Sequence, residues 1–300
     1  MSIIEYLNTA GGIVWTAACV PLGILLAWLA VFVINKVPAK WLCDYDETPS
    51  DELLKEKRVF FQKEGIIMSV IFAAGLAMCR LQFNKGFDIY FVIFALIIFL
   101  AVMIGVCDIK YTIIPDQFTA ALGILCAAVS IYDIVRGFKI LHFVWWSPLL
   151  GIAIGGGAML IIDLIGMVLY KKDGMGFGDV KLFAALGILT GFPGTIYTFI
   201  ISLITATVCF VIIIAVSKIR ANNKYEDTET DIQKEKIPEE DIQKEEIPEE
   251  DIQKEEVRQE EELSAKSYLA FGPYISAALI CYIIFFDTVN YLVNLYLELF

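Results

Sequence analysis

The chain alternates long uncharged apolar runs with short connections that hold nearly all of its charge. Uncharged runs cover Ile13 to Asn35, Gly65 to Cys79, Ile89 to Cys107, Gln117 to Tyr132, Phe143 to Ile162 with a continuation past Asp163 to Tyr170, and Ser267 to Phe286. A helix needs about 20 apolar residues, at about 1.5 Å of rise each, to cross roughly 30 Å of hydrocarbon, so these runs are membrane-crossing candidates. The run from Leu182 to Ser217 has 36 residues, too many for one crossing, and Gly191-Phe192-Pro193-Gly194 interrupts it with turn formers. Two helices are expected there. The pattern therefore predicts an all-α fold, a polytopic integral membrane helix bundle of about eight transmembrane helices.

Composition agrees and excludes a soluble enzyme: 58% of residues are hydrophobic and 13% aromatic, with a mean hydropathy of +0.69. The net charge of −12 is concentrated in one place, because 18 of the 35 acidic residues lie between Glu226 and Glu262 against five basic ones. Net charge thus describes an appendage, and nothing in it points to nucleic acid. From Asp231 the appendage repeats every ten residues, as DIQKEKIPEE, DIQKEEIPEE and DIQKEEVRQE. So polar a repeat, with Pro in two copies, buries too little surface to fold alone and reads as a solvated loop, disordered or partly helical. The organisation expected is residues 1–217 as seven membrane helices with a cytoplasmic loop 36–64 and catalytic loops 108–118 and 171–181. Residues 218–266 form the acidic low-complexity loop, and residues 267–300 hold the last membrane helix.

Glu5 is the only charged residue before Ile13, while Lys36 and Lys40 follow the first run. That distribution is unlike a cleaved signal peptide and directs the N-terminus outward. Eight crossings then place 36–64, 108–116, 171–181 and 218–266 in the cytoplasm, and these connections hold 19 of the 23 Lys and Arg residues. Such a bias is the positive-inside pattern of a multi-pass plasma-membrane protein. The seven cysteines form no C-x-x-C pair, and the single histidine, His142, stands beside Trp145-Trp146. A metal centre is not expected from that set; an interfacial aromatic belt explains the histidine.

Acidic residues at the membrane edge carry the chemistry, because burying them in hydrocarbon is costly. Asp108 opens and Asp116 closes CDIKYTIIPDQ, Asp179 sits in KKDGMGFGDVK, and Asp163 interrupts an apolar run. Between Asp108 and Asp179 the chain leaves and returns once, so both are expected on the cytoplasmic side. Two carboxyls within a few ångströms cannot both ionise readily, so one holds a proton while the other is charged. The charged member can take a proton from water and the neutral one can donate toward an amide, which is sufficient chemistry to hydrolyse a peptide bond without a cofactor.

Around Asp179, Gly174, Gly176 and Gly178 alternate as in an open or strand-like loop that a substrate backbone could approach. The alternative is a plain connection with Asp179 as helix N-cap. A phosphate cradle lacks its G-K-[ST] ending. The following helix, read as Val180 to Phe192, is short and recesses Asp179 below the membrane surface. Helix ends favour charge on Asp179, at an N-terminus, over Asp108, at a C-terminus. Asp163 is read as a structural hydrogen-bonding residue and Gly155 to Gly157 as a close-packing stripe.

These residues resemble the prepilin peptidases, or type IV leader peptidases, membrane aspartic proteases with a GxGD motif. The resemblance rests on D-I-K-Y-T-I-I-P-D from Asp108 to Asp116, on G-M-G-F-G-D-V-K from Gly174 to Lys181, and on F-G-P-Y from Phe271 to Tyr274. It implies that Asp108 and Asp179 are catalytic, with Pro115, Asp116, Gly174, Gly176, Phe177, Gly178 and Lys181 as motif or substrate-positioning residues. It further implies removal of a basic leader from prepilin-like precursors at the cytoplasmic face. Larger members also methylate the new N-terminus with S-adenosylmethionine and carry two C-x-x-C pairs in the first cytoplasmic loop, where this chain has only Cys43. S-adenosylmethionine is thus expected only if methylation is retained, and zinc is not expected. A presenilin-like protease would share the dyad but lacks its P-A-L signature here. The different classes to weigh are a transporter or channel lined by acidic residues, and a non-catalytic scaffold of a pilus or secretion apparatus.

Overall fold

The computed structural model describes residues 10–43, 48–49, 54, 58–82, 89–137, 141, 144–170, 176–234, 270–286, 288–289 and 291. His142, Gly174 and residues 235–269, which include most of the acidic repeats, lie outside these. Two compact units divide the chain, one of Met1–Leu203 with Ala270–Phe300 and one of Ile204–Leu269. The first holds all the residues discussed below. The second is helical over 204–234.

The described elements are helices: α1 (Ala10–Lys36), α2 (Ile66–Gln82), α3 (Ile89–Tyr111), α4 (Asp116–Arg136), α5 (Ser147–Tyr170), α6 (Phe177–Lys234) and α7 (Gly272–Ile284). A 3₁₀ turn, Ala39–Trp41, follows α1, and a wide π turn, Phe61–Gly65, leads into α2. Helices are what apolar segments must form in lipid, where no water satisfies backbone N–H and C=O groups. Among the described residues, six helical stretches are long and apolar enough to cross a membrane, the sixth being the 40 residues Phe177–Val216. The protein is thus a multi-pass, all-α membrane protein. The expected eight differs from this tally for two reasons: Phe177–Val216 counts once although it contains a break, and α7, at 13 residues, is shorter than a span.

The break falls where the turn formers stand. Gly191 has φ 62° and ψ −174°, outside helical geometry and in a region that favours glycine, and Phe192 also leaves helical values. Pro193 restarts the helix. The freed groups are satisfied locally: the Ser147 hydroxyl accepts from Phe192 N–H at 3.0 Å and the Thr195 hydroxyl donates to the Gly191 carbonyl at 2.7 Å. The first arm of α6 accordingly includes Asp179, three residues into the helix rather than ahead of it. Asp179 is not its N-cap, and Gly178 is helical rather than part of an open strand-like loop.

Helix α4 runs a turn further than its uncharged run, ending at Gly137, whose left-handed backbone (φ 67°) returns its N–H to the carbonyls of Asp133 and Ile134. This extension buries Asp133 completely. Its side-chain oxygens accept from the Tyr90 hydroxyl and from Leu141 N–H, both at 3.0 Å, so the buried polar group is hydrogen-bonded.

Small residues set the closest approach, between α5 and α6. A Cβ on Gly151 or on Gly187 would collide with the other's backbone, and one on Gly155 would lie 2.7 Å from the Phe183 carbonyl oxygen. Gly156 faces Ala184, whereas Gly157 has nothing within 4 Å. The glycine run therefore serves helix packing at two of its three positions. Asp163, on the same helix, is buried.

Gly187→Leu is expected to lower the thermal unfolding midpoint in detergent, in line with overpacking costs of about 1–3 kcal/mol or more, while Gly157→Leu leaves it nearly unchanged. Equal midpoints for the two variants would contradict the packing described.

Candidate active site

Helix α3 does not stop at Cys107. It continues through Asp108 to Tyr111, so Asp108 stands in a helical last turn rather than opening a loop. The turn that follows is residues 112–115. Thr112 N–H bonds the Asp108 carbonyl at 2.8 Å, a left-handed cap, and Thr112 holds φ 53° to make it. A β-branched residue in that region costs about 1–2 kcal/mol, so the surrounding contacts hold the turn against its own preference. Pro115, extended and buried, caps α4, its carbonyl accepting from the N–H groups of Phe118 and Thr119, each at 3.1 Å.

What holds this turn is Ile114. A Cβ on Gly178 would lie 2.9 Å from the Ile114 Cβ, and a Cβ on Gly272 would lie 3.1 Å from the Ile114 Cδ1. One isoleucine is therefore wedged between the glycine of the GFGD segment and the glycine of FGPY. Both positions need glycine for clearance. The three motif segments, far apart along the chain, meet on that side chain.

At the same junction Gly272, first residue of α7, donates its N–H to Oδ2 of Asp108 at 2.8 Å. A Cβ there would stand 2.7 Å from the same oxygen. Asp108 is 5% and Asp179 8% exposed, and both flank the Ile114 junction, Asp179 next to Gly178 and Asp108 against Gly272. The Asp179 N–H bonds the Gly176 carbonyl at 2.9 Å. Its Oδ1 is buried and has no hydrogen-bond partner among the described residues. Two nearly buried carboxyls thus flank one junction, one gripped by a helix N-terminus and the other with a buried oxygen that no described residue engages.

On another side of α6 the Lys181 ammonium bonds both oxygens of Asp116, at 2.7 and 2.8 Å, and lies 5.0 Å from the centre of the Phe177 ring. Phe177 itself is 59% exposed. This pair straps the start of α4 to the first arm of α6. It joins the residue that closes the first motif to the one two positions beyond Asp179.

A second brace was not legible in the sequence. The Asn35 side chain accepts from the N–H groups of Arg58 and Val59 at 2.7 and 2.9 Å and donates to the Val59 carbonyl at 3.0 Å. Lys110, two residues past Asp108, donates to the Arg58 carbonyl at 2.5 Å and pairs with Glu64 at 3.0 Å. The segment before α2 is thereby tied to the turn that carries Asp108. Asn35 and Arg58 match no motif; only their folded partners reveal them.

A multi-pass helical membrane protein with two nearly buried carboxyls in end turns of its helices is the class that fold and site define. Residues 94–211 match the model of the type IV leader peptidase family, a stretch that includes Asp108 and Asp179 and ends before Gly272. Over 110 residues the chain is 33% identical to a prepilin leader peptidase/N-methyltransferase of Xanthomonas campestris pv. campestris, covering 37% of this chain and 36% of that protein. Over 91 residues it is 34% identical to the leader peptidase HopD of Escherichia coli, covering 29% of this chain and 52% of that protein. The HopD of Salmonella typhimurium is 31% identical over 87 residues, with 29% and 52% covered. The chain thus spans about half the length of these curated relatives, or less. No solved structure matches. The resemblance to the type IV leader peptidase family, read first from the motifs, is borne out over this central region.

Replacing Lys181 and Asp116 by Ala, singly and together, is expected to give a coupling of about 0.5–1 kcal/mol in unfolding, because both side chains are a third exposed and screened by solvent. The coupling should shrink at high salt. Additive effects of the two replacements would show that the pair holds nothing together.

Proposed function

We propose that this protein is a membrane aspartic endopeptidase that removes the basic leader from type IV prepilin-like precursors at the cytoplasmic face of the plasma membrane. The observation that carries the reading is the Ile114 junction, which brings Gly178, next to Asp179, and Gly272, bonded to Asp108, onto one side chain with both carboxyls nearly buried, close to the region similar to the leader peptidases.

The roles follow from the hydrogen bonds. Counting α3 and α6 alone, helix ends favour charge on Asp179. A third helix end changes that balance, because α7 directs the Gly272 N–H at Asp108. Asp108 is then the member suited to act as carboxylate, taking a proton from the attacking water. Asp179, with an oxygen that no described residue engages, carries the proton given to the amide. Water attacks the carbonyl carbon, the C–N bond breaks, and the proton leaves on the new amine. The paired titration belongs to both carboxyls together.

The distribution of Lys and Arg among the connections supports the cytoplasmic side. That side suits removal of a basic leader from the apolar segment that follows it. Proteolysis by this pair uses no S-adenosylmethionine. Methyl transfer would, and the same product spectrum reads it. A channel or scaffold reading has no comparable use for two nearly buried carboxyls beside glycines at one junction.

Purified protein in lipid, mixed with a precursor bearing a basic leader, is expected to release the leader, with product mass showing the cut and any added methyl. Asp108→Asn and Asp179→Asn should each reduce cleavage by several orders of magnitude. Retained cleavage in either would remove the dyad mechanism. Gly272→Ala, which sets a methyl against Asp108, should lower kcat at least tenfold while the protein stays folded. A normal kcat in that variant would contradict the role given to α7.

A further inference from the structure

A groove of about 460 Å³ opens between α4 and the first arm of α6, headed by the Asp116–Lys181 pair. Its lining repeats at helical spacing, with Thr119, Ala120 and Gly123 from α4 and Ala184, Ala185 and Ile188 from α6, and Ile152 of α5 joins them. From Lys181 to Ile188 the groove descends about 10 Å along the helix, roughly a third of the hydrocarbon thickness. All three lining helices are apolar and long enough to cross the bilayer, so an occupant must be apolar along its flank.

Most of the lining residues are small. Ala120, Gly123 and Ala184 let a neighbouring backbone come close, the condition for helix association in lipid, where burial of apolar surface supplies no drive of its own. The floor is already shut by direct contact: a Cβ on Gly123 would lie 3.6 Å from the Ala185 Cβ, and the Ser130 hydroxyl donates to the Ile188 carbonyl at 2.9 Å. What remains open is the side facing away from the helices, a trough with one polar end. That end lies one short step along α6 from the candidate active site, on another face of the helix, since Lys181 stands two residues beyond Asp179.

We propose that this groove seats the apolar helix that follows the scissile bond of the precursor. The inference rests on the endopeptidase reading. A helix lying in the trough with its N-terminal end at Asp116 and Lys181 has its preceding residues at the membrane edge. Unwound at about 3.3 Å per residue, a few of them reach around α6 to the two carboxyls. The groove thereby fixes where along the precursor the chain becomes extended, and the Asp116–Lys181 strap marks the point at which helix gives way to cleavable strand.

The test uses the full chain in lipid vesicles with Asp179→Asn, so that the precursor is held uncut, and a photo-crosslinking side chain at position 184. The same label at position 124 is the comparison, since Ile124 is 70% exposed and lines no part of the groove. Crosslinks from position 184 to the apolar helix of the precursor, several-fold above those from position 124 and competed by unlabelled precursor, are expected. Equal labelling from the two positions, or crosslinks from 184 only to lipid or to a second copy of this chain, would overturn the proposal.

In the otherwise unaltered enzyme, Ala184→Trp is expected to raise KM for the precursor about tenfold with little change in kcat, the mark of lost ground-state binding. An unchanged KM would remove the groove as the seat and leave the peptidase reading standing. Failure of the unaltered protein to cut the precursor would remove the peptidase reading itself. Should Ala184→Trp fail to fold, the crosslinks from position 184 decide the matter alone.

Discussion

The arrangement depends on one packing constraint: Ile114 fits only where two backbones lack side chains. Gly178 and Gly272 each leave less than 3.2 Å between a notional Cβ and an Ile114 carbon, and Gly272 leaves less still before Asp108. Dense interiors do not absorb an added methyl there without moving backbone or carboxylate. The turn carrying Ile114 is itself held against preference at Thr112. The junction is thus assembled by contact between motif segments, and its geometry is sensitive to single carbon atoms at two glycines.

Around that junction the other contacts act as braces. Lys181 and Asp116 tie α6 to α4, and Asn35, Arg58, Glu64 and Lys110 tie the entry to α2 onto the last turn of α3. Each crosses between elements that the lipid alone would leave free to slide, since apolar flanks gain nothing by preferring one another over hydrocarbon. Glycine contact between α5 and α6 fixes the helix that presents Asp179 from the opposite flank.

Much of this was legible in the sequence because lipid leaves few choices. Apolar runs long enough to cross gave helices, and Gly191-Phe192-Pro193-Gly194 marked the break within two residues of the observed non-helical angles. The carboxyls stood out because charge at a membrane edge is costly. Helix ends were less legible: α3 runs past Cys107 and α4 past Tyr132, since Asp108 and Asp133 gain hydrogen bonds from residues remote in sequence. Gly272 lies 164 positions from Asp108, and neither spacing nor periodicity reports such a contact. Ile114 reads as one more apolar residue, and its wedge role exists only once three segments have met.

The central claim is that Asp108 and Asp179 act as one catalytic unit. The most direct measurement is kcat/KM for precursor cleavage in the two single Asn variants and in the double variant. A unit predicts that the double variant falls no further than the more damaging single one, because either loss already disables both. Losses that multiply, each aspartate contributing independently of the other, would contradict it.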